Sequence, residues 1–150
     1  MLRSYKYYVT NPAQLLTEYP YEAVQKTCKN LTSPKKVQLK GYKFLTPRDP
    51  EAMLQALQMQ PIAAAVASEN PYFQFYSKGI LFSFLCGEKI DHAILIVGYG
   101  EDSALGPFWI VKNSWGSKWG ENGYFRIARD MKKGESGHCG INLYVSHPIL

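Results

Sequence analysis

Two residues in this 150-residue chain have the type and setting for proton-transfer chemistry. His92 follows Asp91 and opens the apolar run Ala93-Ile94-Leu95-Ile96-Val97. Asn113 closes a second run, Phe108-Trp109-Ile110-Val111-Lys112, and precedes Ser114-Trp115-Gly116. Histidine changes charge near neutral pH and so serves as a general base. An asparagine carbonyl that accepts from one ring nitrogen fixes the ring's orientation and tautomer, leaving the other nitrogen to take a proton. That division of labour requires the two apolar runs to be neighbouring strands, with Trp115 covering the bond and keeping water off it. Alone, His92 is equally compatible with a structural histidine at the mouth of a buried strand. A base and its orienting residue also need a nucleophile, and the chain has three cysteines, Cys28, Cys86 and Cys139.

The elements that must position these residues follow from pattern. Residues 2–16 carry Leu2, Tyr5, Tyr8, Val9, Leu15 and Leu16 near helical spacing, with Pro12 ending or kinking the helix. A turn-rich segment over 18–30 and an extended linker over 35–44 come next. The stretch 46–61 reads as a helix, with prolines before its first turn, Asp49 or Glu51 at the positive end of its dipole, and Pro61 at its exit. Six short β-rich runs then begin at Ile62, Lys78, His92, Phe108, Gly123 and Gly140, each bounded by Gly, Asn or Pro. With no helix between them, they predict an antiparallel barrel or sandwich. The expected class is α+β, with a helical and loop part over 1–44 and a compact β domain over 45–150.

Composition narrows the function. Hydrophobic residues at 46% and charged residues at 19% describe an ordinary globular chain. The net charge of +5 is scattered over Lys26/Lys29, Lys35/Lys36/Lys40 and Lys132/Lys133, with no run of five basic residues, which argues against nucleic acid as a partner. No stretch approaches the roughly 18 apolar residues of a membrane span. The start, MLRSYKYYVTNPAQ, has neither the apolar region nor the small-residue cleavage site of a signal peptide. Asn30-Leu31-Thr32 is an N-glycosylation acceptor pattern, relevant to a secreted chain. A zinc site from Cys86, Cys139 and His138 lacks a paired CxxC motif, and no metal or cofactor is expected.

DHAILIVGYG, FWIVKNSWGSKWGENGYFRIARD and CGINLYVSHPIL resemble the second half of the papain-like cysteine proteases, the cathepsin group. SKGILFSFLCGEKI, RDPEAMLQAL and EYPYEAVQKTC extend the resemblance over essentially the whole chain. It implies a papain-like fold, its β-barrel lobe complete and its helical lobe partial, and hydrolysis of peptide or protein substrates through an acyl-thioenzyme. His92 matches the family's general base, Asn113 its orienting residue and Trp115 the shielding tryptophan. Asp91 falls at a modulating position, and Ala65, Ile90 and Tyr144 fall near the pocket that selects an apolar substrate side chain. Cys86 and Cys139 match a disulfide pair, whereas Cys28 matches a cysteine whose partner is not among these residues. Disulfides and the acceptor pattern together imply a lysosomal, vacuolar or secreted route.

The departure concerns the nucleophile. The family's Cys-Gly-Ser-Cys-Trp signature is absent, and its usual distance from the His and Asn puts it about 40–60 residues before Met1. The glutamine of the oxyanion hole belongs to the same segment. Three readings stay open: a truncated product of an active protease, one chain of a split enzyme whose other chain carries the cysteine, or a papain-fold protein kept for binding or assembly. All three predict a chain inactive by itself.

Overall fold

Proline sets the first boundaries. The structure, a computed structural model, describes residues 1–29, 36–83 and 85–150. Helix α1 spans Leu2–Thr10, so Pro12 ends the helix rather than kinking it, and it has no buried residue. The ring of Pro12 forces the residue before it out of the helical region, and Asn11 is extended at φ −122° and ψ 108°. Beyond it, Ala13–Gln14 forms β1, antiparallel to Lys36–Val37, β2. Strand β3, Gly41–Phe44, lies in the stretch expected to be a linker.

Helix α2 spans Pro50–Leu57, and the Asp49 carboxylate caps it by accepting from the Ala52 N–H at 3.2 Å. Pro50 sits in the first turn, where no amide hydrogen is required. Its buried residues, Pro50, Met53 and Ala56, recur every three positions and so share one face.

The remaining strands are β4 (Ile62–Val66), β5 (Ile80–Leu81), β6 (His92–Asp102), β7 (Gly106–Lys112), β8 (Tyr124–Ala128) and β9 (Val145–Ile149). They form a seven-stranded sheet in the order β3-β9-β4-β6-β7-β8-β5. Strands β4, β6, β7 and β8 are antiparallel to their neighbours, but β5 runs parallel to β8. A short helix α3, Pro71–Gln74, interrupts the strands, capped by Asn70, which accepts from the Tyr72 N–H at 2.8 Å. The expectation of six consecutive antiparallel strands is corrected on both points. It is corrected at Gly140–Tyr144 as well, where a 3-10 turn, His138–Gly140, leads into β9. Gly137, Cys139 and Gly140 have φ of 70°, 54° and 72°, left-handed values that a strand excludes.

Alternation builds the core. Ile62, Ala64 and Val66 of β4, Ile94 and Ile96 of β6, Trp109 and Val111 of β7, and Phe125 and Ile127 of β8 are all buried. The β6–β7 register slips between Ile96 and Gly98, a β-bulge. At Gly100 a Cβ would lie 2.6 Å from the Phe108 ring, so a side chain there requires that ring to move. The chain divides into two compact units, Met1–Lys43 with Pro148–Leu150, and Phe44–His147.

Candidate active site

The site lies wholly within Phe44–His147, on two adjacent strands. His92 shares its strand parity with the buried Ile94 and Ile96, and Asn113 continues the row of Trp109 and Val111 just past the end of β7. Each polar side chain is thus the last position of an apolar row. Asn113 is buried, and its N–H donates to the Gly123 carbonyl at 2.9 Å.

His92 Nε2 lies 2.8 Å from Asn113 Oδ1, and the Ser114 N–H donates to that same oxygen at 2.7 Å. The second contact settles the first: an atom facing an amide N–H must be the carbonyl oxygen, so His92 Nε2–H is the donor. The ring proton therefore sits on Nε2, and Nδ1 keeps the lone pair that accepts a proton. Asn113 Nδ2 is buried without a hydrogen-bond partner among the described residues.

Trp115 lies over the histidine, ring centroids 5.0 Å apart and planes tilted by 33°. Its indole is held edge-on by Phe73 at 5.6 Å and Trp119 at 5.1 Å. Phe73 is fully buried, and the Trp119 Nε1–H donates to the Gln74 carbonyl at 2.8 Å. Helix α3 thus supplies part of that aromatic support, through Phe73 and Gln74.

Asp91 is tied elsewhere than to the ring beside it. Its Oδ1 accepts from the Ser68 N–H at 2.8 Å and the Ser68 hydroxyl at 2.9 Å, and its Oδ2 from the Glu69 N–H at 3.3 Å. Burial pushes the carboxyl up, but the Ser68 and Glu69 hydrogen bonds and the neighbouring His92 outweigh it and hold the group below its ordinary value. The result is a fixed negative charge at the foot of His92.

Each of the three pocket candidates has its own contacts. Ala65 donates its N–H to the Tyr144 carbonyl at 3.1 Å, and the Tyr144 ring rests on Phe44 with centroids 5.0 Å apart. Ile90 sits instead beside Gly140, where an added Cβ would come within 3.2 Å of its Cγ2. Cys86 and Cys139 are joined in a disulfide, so neither is available as a thiolate ligand, and Cys28 is an exposed free thiol. Asn30 lies outside the described residues. Sequence reasoning missed Ser68, Phe73 and Trp119. Trp119 stood visible in the Trp/Gly frame, whereas Ser68 and Phe73 act through contacts that no local pattern encodes.

The comparisons with known proteins name the family to which this fold and its paired His92 and Asn113 belong. The family model described as papain family cysteine protease matches residues 1–149. The chain is 43% identical to fruit bromelain of Ananas comosus over 150 residues, 99% of this chain and 42% of that protein. It is 41% identical to macrodontain-1 of Ananas macrodontes over 149 residues, 99% of this chain and 67% of the other. Its structure matches that of bromelain from Ananas comosus in complex with the E64 inhibitor with a TM-score of 0.89 at 39% identity, covering 99% of this chain and 68% of that one. A digestive procathepsin L2 from Tenebrio molitor larval midgut matches with a TM-score of 0.84 at 36% identity, covering 98% and 46%. The chain belongs to the papain family of cysteine proteases. It spans less than half of fruit bromelain and about two thirds of macrodontain-1.

Proposed function

We propose that this chain supplies the general base and its orienting residue to a papain-type cysteine peptidase, and that the thiol nucleophile and oxyanion donors come from polypeptide outside these 150 residues. The observation that carries the reading is the doubly accepting Asn113 Oδ1, which leaves His92 Nδ1 as the proton acceptor. In the reaction Nδ1 takes the thiol proton, and the thiolate attacks the peptide carbonyl. The imidazolium then protonates the leaving amine, and water hydrolyses the thioester. Asn113 holds the ring through both steps and Trp115 shields their bond.

In this reading residues 1–44 are part of the helical lobe and residues 45–150 the β lobe. Ala65, Ile90 and Tyr144 border the pocket for an apolar substrate side chain. The Cys86–Cys139 disulfide favours a lysosomal, vacuolar or secreted setting, where such bonds persist. The alternatives, one chain of a split enzyme or a binding protein of papain fold, rest on the same observation: two of the three cysteines are joined to each other, and Cys28 lacks the nucleophile's sequence signature.

Peptide hydrolysis by the isolated chain is the test. Removing a triad nucleophile costs on the order of 10⁶ in kcat in a comparable serine enzyme, so no thiol-dependent turnover is expected. Adding a polypeptide that bears the Cys-Gly-Ser-Cys-Trp signature should restore it. Turnover by the chain alone that an alkylating agent abolishes would overturn the proposal and point to Cys28. A stable complex without turnover would favour the binding role.

A further inference from the structure

The turn that anchors the Asn113 backbone is built on a chemically labile pair of residues. Glu121 and Tyr124 exchange both backbone hydrogen bonds: the Glu121 N–H donates to the Tyr124 carbonyl at 2.8 Å, and the Tyr124 N–H to the Glu121 carbonyl at 3.1 Å. Between them, Asn122 and Gly123 have φ of 56° and 89°. Two successive positive values belong to the tight hairpin turn for which Asn-Gly is a preferred pair. Glycine is favoured at the second position for a further reason, since a Cβ there would lie 3.2 Å from the Gly116 carbonyl oxygen. Asparagine suits the first, because its short polar side chain tolerates the left-handed region.

The same pair leaves an asparagine side chain open to attack by the next amide nitrogen, because glycine puts no side chain in the way. Of Asn11, Asn30, Asn70, Asn113, Asn122 and Asn142, only Asn122 precedes glycine. Asn11 and Asn70 precede prolines, which have no N–H, and Asn30 and Asn142 precede leucines. The Ser114 N–H that follows Asn113 is held by Asn113 Oδ1 at 2.7 Å. Asn122 is also exposed. In the closed turn its neighbour is gripped at both ends. The Gly123 N–H donates to the Trp119 carbonyl at 2.8 Å, and the Gly123 carbonyl accepts from the Asn113 N–H at 2.9 Å. The second grip holds the residue that orients His92.

We propose that Asn122 is a site of spontaneous deamidation, guarded while the turn is closed, whose isoaspartyl product releases Asn113. When the turn opens, the Gly123 nitrogen gives up its proton and attacks Asn122 Cγ. The N–Cγ bond forms and the Cγ–Nδ2 bond breaks. The amide leaves as ammonia, taking up a proton in place of the one lost, and a five-membered succinimide remains. Water then opens the ring at either carbonyl. Opening at Cγ gives aspartate with the backbone unchanged. Opening at the former main-chain carbonyl gives isoaspartate, whose backbone runs through Cβ and Cγ and is longer by one carbon. Gly123 cannot then keep its N–H on Trp119 and its carbonyl on Asn113 together. Once the Asn113 N–H is freed, its side chain leaves the position in which Oδ1 accepts from both His92 and Ser114. Ageing of this turn disorients the histidine with no change to His92 or Asn113 themselves.

The modification does not depend on the proposed peptidase reaction, and its test needs no activity. The intact chain is held in mildly alkaline buffer, native and in urea. It is mapped at intervals by mass spectrometry, with chromatography that resolves aspartyl from isoaspartyl peptides. In urea both products should accumulate at Asn122 ahead of the other asparagines. In the native chain they should form at least about tenfold more slowly, because only the opened turn reacts. The isoaspartyl fraction of the native chain should show a shifted, fast-exchanging Asn113 amide by NMR, and averaged His92 ring nitrogens. Asn122→Asp adds the charge without the extra carbon and should leave both signals in place. Asn122→Gly, equally suited to positive φ, should age without change at Asn113. No isoaspartate at Asn122 in urea, equal rates in the native and unfolded chain, or an isoaspartyl chain with an unmoved Asn113 amide overturns the proposal.

Discussion

Replacing Asn113 with alanine should leave the fold nearly as stable as before while freeing the histidine. The side chain accepts two hydrogen bonds, from His92 Nε2–H and from the Ser114 N–H. Each is worth about 0.5–1.5 kcal/mol net, so their loss costs about 1–3 kcal/mol. The same substitution removes Nδ2, a buried donor without a partner among the described residues, and relieves a desolvation penalty of about 1–3 kcal/mol. The two terms offset, and urea unfolding should shift by less than about 2 kcal/mol. The histidine responds differently. Without its acceptor, His92 should lose the preference for the Nε2–H tautomer, seen as averaged ring ¹⁵N shifts. A loss of stability above about 3 kcal/mol would mean that Nδ2 is well bonded, and a retained tautomer would mean that something other than Asn113 orients the ring.

Three further outcomes are expected. Removing the Cys86–Cys139 bond, which closes a 53-residue separation, should cost about 4 kcal/mol in the chain-entropy account; a change in the denaturation midpoint worth under about 1 kcal/mol would contradict it. Glu121 is held below its ordinary value chiefly by Arg126, with bonds of 2.8 and 3.0 Å. A depressed folded-state value means that this stabilisation is present above the unfolded value of about 4.3 and is lost as pH falls through the folded one, so Glu121→Gln should flatten the acid limb of a stability–pH curve. Helix α1, with 9 residues and none buried, should exchange its amide hydrogens far faster than Ile94, Ile96 or Val111, and strong protection over Leu2–Thr10 would count against this.

What the sequence disclosed depended on how far each determinant reaches along the chain. The placement of His92 and Asn113 at the ends of apolar runs was visible because alternation is local, and the strands that carry them are neighbours in the sheet. The start of α2 was legible to within a few residues, since Asp49 and Glu51 both suit the positive end of its dipole; Asp49 is the cap, and the helix runs Pro50–Leu57 inside the expected 46–61. The end of α1 at Thr10 was one of the two outcomes that Pro12 allows, and its effect on Asn11 decides between them. Other features had no local signal. The parallel pairing of Ile80 with Arg126, and the grip of Ser68 on Asp91 across 23 positions, are set by tertiary packing. The strand expected from Gly140 begins only at Val145, because the turn at His138–Gly140 holds Cys139 in a left-handed conformation that its side chain does not advertise.

The irregularity between Ile96 and Gly98 bears on which lengths of chain this site can tolerate. Side chains in a strand alternate, so adding or losing one residue between His92 and Ile96 would turn His92 to the opposite face of the sheet while Asn113 stayed put. Past the bulge that penalty lapses, because the extra residue already absorbed there separates the parity of the two segments. The hairpin from Gly98 to Ile110 is thereby uncoupled from the histidine. Insertions of one or several residues near its tip, at Ser103–Leu105, should be accommodated without disturbing the His92–Asn113 bond, which makes this hairpin the natural place to graft a tag or binding loop.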